Sequence, residues 1–522
     1  MQKEKYEVLL INPGFNQKSF QFYQNIPVDL LELGSYLVAK GIKVKILDCS
    51  VREKYDDYVR EYAKDAILVG IGVMNAQITS AFEIMNIIRS VNPNVKFIWG
   101  GAHSTLYPLQ TIQHKDVDFI VVGEGEEPLY NLYLAIKNNT TYENINGIGY
   151  RKNEEIKINQ PHPLIDVNKL PIIDYSLIDE EMLDLYRHNN TDTFFPVTTS
   201  RGCPHRCSFC INVVTKNRWR GKNPEKVLEE LSYVYNKLGI TKIRFRDELF
   251  FVDKERVKKI LKGLIERNVK IDWRANCKAD YFRRGLIDDE MMKYVKESGC
   301  SELGIGAESG SQRMLDLIKK DNTVEDVLNM VRICHQWGIR GNYSFMIGLP
   351  KETKEEMIKT IKFIKKIKKL DPNSFIIGPQ PYRPYPGGEL FEHAVSLGWK
   401  EPQTLEGWAG NYSEMLFAPT SKMFPWIEDP VFVDNLLLYT KFASNTFGQI
   451  KERYASGSTR IKAPKLFIYA FALWCKLRWT AGVYDKFFEI KLIEKYYKHR
   501  IKKNEQMPNA ASNHVMESFA AE

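Results

Sequence analysis

Residues 195–210 read FPVTTSRGCPHRCSFC, a short apolar run that breaks into a loop holding cysteines at 203, 207 and 210. The run predicts a strand, and the Gly, Pro and Arg that follow predict a tight irregular loop. Five more apolar runs lie downstream: KIRFRD (242–247), KIDWRAN (270–276), ELGIGA (302–307), NYSFMIG (342–348) and SFIIGPQ (374–380). Helical patterns such as NPEKVLEELSYVYNKL (223–238) and TKEEMIKTIKFIKKIKKL (353–370) separate them. Six strand–helix units predict a partial (β/α)6 barrel over 191–400. Chemistry in such a fold belongs at the C-terminal strand ends, where the cysteine loop falls.

Upstream, residues 1–140 show a second α/β pattern. YEVLLI (6–11), KVKIL (43–47), AILVGIGV (66–73), VKFIWGG (95–101) and VDFIVVGEG (117–125) read as strands, with helical patterns such as VDLLELGSYLVAK and ITSAFEIMNIIRSV between. Continuous apolar strands alternating with helices predict a doubly wound, flavodoxin-like parallel sheet covered on both faces. Its ligand is expected outside the C-terminal strand ends. Those ends carry Asn12-Pro13-Gly14, Gly72 to Asn75, Gly100-Gly101-Ala102-His103-Ser104 and Gly123-Glu124-Gly125-Glu126. Residues 141–190, polar and marked by Pro161, Pro163 and Pro171, read as a linker. Residues 401–503 read as a mostly helical C-terminal region, and 504–522 as a disordered tail.

The chain has 522 residues, 44% hydrophobic and 27% charged, which suits a globular protein of two or three domains. MQKEKYEVLL opens without a basic-then-apolar leader, so the expected setting is cytoplasmic. Of the 8 cysteines, Cys49, Cys277, Cys300, Cys334 and Cys475 are scattered, which does not fit a disulfide framework. The cluster at 203, 207 and 210 therefore reads as a metal or redox site. Structural zinc takes four protein ligands, which Cys277 or Cys300 could complete. A 4Fe–4S cluster held by three thiolates would keep one iron open for an exogenous ligand.

The spacing C-x3-C-x2-C, with Phe209 before the last cysteine, resembles the radical S-adenosylmethionine (SAM) superfamily. In that superfamily the open iron chelates SAM, and electron transfer cleaves SAM to a 5′-deoxyadenosyl radical. Further segments resemble it in order. Gly304-Ile305-Gly306-Ala307-Glu308-Ser309-Gly310-Ser311 is similar to the fourth-strand segment whose acidic residue meets the SAM ribose. Met346-Ile347-Gly348-Leu349-Pro350 is similar to the fifth-strand motif near adenine. Tyr385-Pro386-Gly387-Gly388 is similar to the sixth-strand motif, with Gly388 where Thr is common. The second strand ends Arg246-Asp247-Glu248 rather than Gly-Gly-Glu, which leaves open the group that holds the SAM amino nitrogen.

A doubly wound domain ahead of this barrel resembles the cobalamin-binding domain of cobalamin-dependent radical SAM enzymes. The resemblance implies that Asn12, Pro13, Gly101, His103, Ser104, Gly123, Glu124 and Gly125 hold the corrin. It implies that Cys203, Cys207 and Cys210 hold the cluster, and that Phe209, Gly306, Glu308, Ser309 and Gly348 surround SAM. None of the nine histidines stands two residues after an Asp, so no protein His is expected on cobalt. The implied reaction is methylation of an unactivated carbon, in which cobalamin relays a methyl group and the deoxyadenosyl radical abstracts a substrate hydrogen. Oxidative ring formation, as in the anaerobic magnesium-protoporphyrin monomethyl ester cyclase, is the alternative within the architecture. A non-catalytic cobalamin or iron–sulfur sensor is the alternative outside it. The implied partners are a small-molecule substrate and an external reductant such as flavodoxin or ferredoxin.

Net charge is +9, yet residues 451–503 alone hold 14 Lys and Arg against 4 Asp and Glu, together with 11 aromatics. The plain reading is a helix covering the open side of the barrel with its charges solvated. A helix lying at a membrane interface stays open beside it, with a hydrophobic or lipid-like substrate as its corollary. Nucleic acid is a weaker third reading, because the rest of the chain is close to neutral.

Overall fold

The computed structural model describes residues 5–14, 26–50, 55–187, 193–212, 218–410, 424–446, 448, 465–484 and 486–487. The expected tail 504–522 lies outside them, as does most of the basic segment on either side of Lys465–Ala481.

Strands β1 (Val8–Asn12), β2 (Val44–Asp48), β3 (Leu68–Gly72), β4 (Lys96–Gly100) and β5 (Phe119–Val121) form the first sheet in the order 2-1-3-4-5, all parallel. Leu9, Leu10 and Ile11 on adjacent positions of β1 are all buried, because helices cover both faces. This is the doubly wound order. Two more strands continue the sheet where the sequence reads as linker: β6 (Ile148–Lys152) and β7 (Glu155–Ile158) add an antiparallel hairpin to β5. Asn153 and Glu154 both take positive φ (49° and 67°), the arrangement of a two-residue I′ turn. With Glu in place of the usual Gly, that turn gives little sequence signal.

The second sheet holds β8 (Phe195–Val197), β11 (Lys242–Phe245), β12 (Asp272–Cys277), β13 (Cys300–Glu308), β14 (Arg340–Ile347) and β15 (Phe375–Pro381), parallel and in chain order. Between β8 and β11, β9 (Ser200–Arg201) and β10 (Arg220–Gly221) pair antiparallel. They close a neck under the cysteine loop. The six-unit partial barrel expected from the sequence is present. Alternation sets the two faces of each strand apart. Trp273, Ala275, Ile305, Ala307, Tyr343 and Phe345 are buried under helices, whereas Arg244, Arg246, Asn276, Gly304, Gly306, Asn342 and Ser344 face the lumen.

Helices start where side chains satisfy their first N–H groups. Asn223, Asp253, Asp288, Thr323 and Thr353 each accept from the first turn, the two threonines through full capping boxes. The helix Pro430–Ser444 packs on β15, and Lys465–Ala481 packs on that helix in turn. Ile468, Phe471, Ala472, Cys475 and Trp479 are buried, while Leu473, Trp474 and Leu477 are exposed. Among the described residues no helix is long and apolar enough to cross a membrane.

Candidate active site

The cysteine loop leaves β9 through Gly202, whose φ of 82° makes the turn. Cys203 is buried, Cys207 and Cys210 are half-buried, and all three are free thiols. Burial pushes the Cys203 thiol up to about 11, and the neighbouring Cys207 and Cys210 add to that rise. Three free thiols on one loop supply the number of donors for a cluster with one open iron, although among the described residues no group of three already stands in metal-holding geometry. Two contacts pin the loop from the far side of the barrel: Ser208 N donates to Ile318 O at 3.0 Å, and Leu390 N donates to Ser208 O at 3.1 Å.

Gly388 explains why the sixth-strand motif carries glycine here. A Cβ at 388 would stand 2.3 Å from Ser208 O, closer than real contacts allow. Gly388→Ala is therefore expected to displace the loop, lower the iron content of reconstituted protein and cost about 1–3 kcal/mol of stability. Iron content and melting temperature equal to wild type would show that the loop yields without consequence.

At the end of β13, Glu308 adopts φ 59°, a left-handed conformation unusual outside glycine and common at functional sites. Lys320 Nζ bonds its Oε1 at 2.7 Å and lies 5.7 Å from the Phe209 ring centroid. Burial opposes the Lys320 charge, and Glu308 and Cys207 outweigh it, so its pKa is raised. Gly306 leaves room for this pair, since a Cβ there would stand 2.3 Å from Glu308 Oε1 and 2.5 Å from Lys320 Nζ. Gly348 has φ 70° and accepts from Trp426 Nε1 at 2.8 Å, so a C-terminal segment is fastened to the fifth-strand motif. Ser309 has a structural role at this strand end. Its hydroxyl lies 3.2 Å from Thr360 Oγ1 and accepts from Ser311 N at 3.1 Å, which locks the turn after β13.

At the end of β11, Asp247 is consumed by Thr199 N (2.7 Å) and Thr199 Oγ1 (2.6 Å) and by Ser200 Oγ. Glu248 is half-buried, and burial pushes its carboxyl up.

On the first domain, Asn12, Asp48 and Gln77 tie three strand ends together: Asn12 Nδ2 donates to Asp48 Oδ1 at 2.9 Å, and Gln77 Nε2 to Asn12 Oδ1 at 2.7 Å. Pro13 is buried beside them. Gly101, at φ 95°, turns the chain into a short helix that carries His103 and Ser104. His103 Nδ1 is 2.8 Å from Asn75 Oδ1, and burial lowers its pKa to about 4. Its Nε2 and Ser104 Oγ are buried without partners, while the sites above Gly100 and Gly123 are open. Orphaned polar atoms beside glycine-lined open space fit a large amide-bearing ligand such as a corrin. Trp408 lies 6.1 Å from His103, another C-terminal contribution that no motif signals. Gly125 packs against Leu33.

Glu124 lies at the contact between the domains. Its oxygens accept from Arg220 (2.9 and 2.5 Å), Arg201 (3.3 Å) and Ile165 N (2.8 Å), so it joins the two domains. Arg201 further donates to Glu32 (2.6 Å) and Glu126 (2.5 Å), and Lys222 donates to Glu32 at 2.8 Å. The neck of the cysteine loop is thus clamped by carboxylates of the first domain.

With two cofactor-shaped regions fastened edge to edge, comparison with known proteins is decisive. The radical SAM superfamily model matches residues 197–364, and the B12 binding domain model matches 23–133. An uncharacterized methyltransferase of Pyrococcus horikoshii is 32% identical over 391 residues, 73% of this chain and 82% of that protein. The chain belongs to the cobalamin-dependent radical SAM enzymes. The cofactors of this radical SAM enzyme are a 4Fe–4S cluster, SAM and cobalamin. An anaerobic magnesium-protoporphyrin IX monomethyl ester cyclase of Rubrivivax gelatinosus is 26% identical, covering 74% of this chain and 69% of the cyclase. Among solved structures, the cobalamin-dependent radical enzyme OxsB superposes with a TM-score of 0.65 at 17% identity, over 99% of this chain and 83% of its own. The methyltransferase TsrM from Kitasatospora setae gives 0.63 at 20% identity, over 76% and 78%. These two likenesses establish the shared fold.

Proposed function

We propose that this enzyme transfers a methyl group from SAM to an unactivated carbon of a small molecule. The observation that carries the reading is the clamp of Glu32, Glu124 and Glu126 on Arg201. It fastens the strand that leads into the cysteine loop to the first domain, an arrangement that supports both cofactors serving one cavity. The cofactors, when bound, supply a deoxyadenosyl radical and a transferable methyl group. Cys203, Cys207 and Cys210 anchor the cluster. Glu308 presents its carboxylate to the SAM ribose, and Lys320, freed from Glu308, pairs with an anionic group beside the cysteine loop. Glu248 is the candidate for the SAM ammonium, because a cation there would relieve the burial of its carboxyl. Methyl transfer is preferred over ring formation because the 32% identical relative is named a methyltransferase.

An external one-electron donor, flavodoxin or ferredoxin, completes the cycle. Exposed Leu473, Trp474 and Leu477 on the C-terminal helix favour a peripheral membrane contact.

The test is anaerobic turnover with methyl-labelled SAM and a small-molecule extract. Both 5′-deoxyadenosine and S-adenosylhomocysteine are expected, with label in a third compound. Deoxyadenosine formed while all label stays in methionine would sink the methyl-transfer reading in favour of ring formation.

A further inference from the structure

Strand β11 and the turn after it carry lumen charges that no hydrogen bond or ion pair among the described residues neutralises. Alternation puts Arg244 and Arg246 on the lumen face below Glu248. In register, Arg244 stands beside Arg274, Arg274 beside Glu302, and Glu302 beside Arg340. The row therefore holds three guanidiniums and one carboxylate. Glu302 is already used, by Arg340 at 2.5 Å and Asn342 at 2.9 Å. Arg274 is held against Phe194, its guanidinium carbon 3.6 Å from the ring centroid. Arg244 and Arg246 are exposed, and among the described residues neither makes a hydrogen bond or ion pair.

The position matters as much as the charge. Asp29 lies in the first turn of the helix Val28–Ala39, at the corrin-facing end of the first domain. Asp29 is exposed at that turn, and Arg246 of the barrel contributes most among the charged side chains acting on its carboxyl. Guanidiniums do not deprotonate in proteins, and neighbouring like charges on adjacent strands repel. Such an arrangement becomes favourable when a bidentate anion enters, and a walled cavity concentrates its field on that anion.

We propose that Arg244 and Arg246 form an anion subsite that holds a phosphate or carboxylate group of the substrate. This rests on the reading of the shared cavity as the substrate site. It gives the substrate a charged head, whatever the character of the carbon skeleton that is methylated.

The test scores binding without turnover. Inorganic phosphate is titrated into holoenzyme that contains cob(II)alamin and SAM, and the paramagnetic broadening of its phosphorus resonance is followed. Saturable broadening is expected, with affinity weakened about tenfold or more in R244Q/R246Q. R60Q, on the outer helix Asp56–Ala63, should match wild type. Acetate competition then separates the sources: displacement at comparable concentration assigns a carboxylate-competent subsite, and resistance assigns phosphate. Absence of saturable broadening in wild type, equal broadening in the double variant, or loss of SAM affinity in that variant would each overturn the assignment. Failure to find a methylated product would leave these readouts untouched, so the two readings fail separately.

Discussion

Cys203→Ala is expected to abolish 5′-deoxyadenosine formation while leaving bound cobalamin at the wild-type level. The three proposed cluster cysteines have no understudy. Cys277 and Cys300 are buried beneath the helix Val324–Trp337, and Cys334 sits on that helix, so their thiols open into apolar core. Burial pushes Cys334 up to about 12, and raises Cys277 and Cys300 strongly as well, which keeps them protonated and unable to act as ligands. The loss should exceed the roughly 10–100-fold that outer-shell changes cost a metal site. The corrin-facing ends of β1, β3 and β4 contain no atom of the loop, so cobalamin content is the internal control. Retained iron, or turnover above background, would contradict the assignment of the cluster.

Arg201→Met is expected to destabilise the enzyme by about 3–5 kcal/mol, the usual consequence of stripping a buried charge network of one partner. Arg201 holds Glu32 and Glu126, each only 5% exposed, and Glu124 behind them. Burial pushes Glu32 and Glu124 up, but Lys222 and Arg201 around the first, and Arg220 and Arg201 around the second, hold both below the ordinary value of 4.5. A depressed carboxyl contributes stability that is present above its unfolded value and is lost as pH falls through its folded value. The gap between wild type and variant should therefore be widest near neutrality and narrow below about pH 4.5. Chemical denaturation at several pH values measures it. A gap that stays constant into acid would show that Arg201 acts through packing alone. Iron content should fall with stability, because β9 leads directly into Gly202 and Cys203.

Much of this was legible in the chain itself. Strands such as VLLI at 8–11 are apolar at every position because both faces are covered, and no other arrangement of a short run explains that pattern. The cysteine loop and the Gly306–Glu308 segment were legible because each needs a particular residue type at a particular strand end. The hairpin 148–158 was hidden by a turn that uses Asn-Glu where glycine is the usual marker. The protein partners of Glu124 and Ser309 were not legible, since Arg220 and Thr360 lie 96 and 51 residues away. One signal was available and unused. Glu32 shares a helix face with Val28, Leu31 and Ser35, and a carboxylate on a buried face requires a cation opposite it. Lys320 gave no comparable sign, since it stands in a short charged run whose direction only the fold decides.

The clamp at the neck of the cysteine loop also bears on how such a chain can be divided or recombined. Expressed alone, the barrel would present Arg201 and Arg220 as a cationic seam, with Lys222 left only its barrel partner Glu230, and the detached first domain would present Glu32, Glu124 and Glu126 as its mirror image. Neither fragment keeps the surface on which its own cofactor loop was shaped. Chimeras that exchange one half therefore inherit a mismatched seam unless these six residues travel together, which makes the pair of domains, rather than either one, the unit of inheritance.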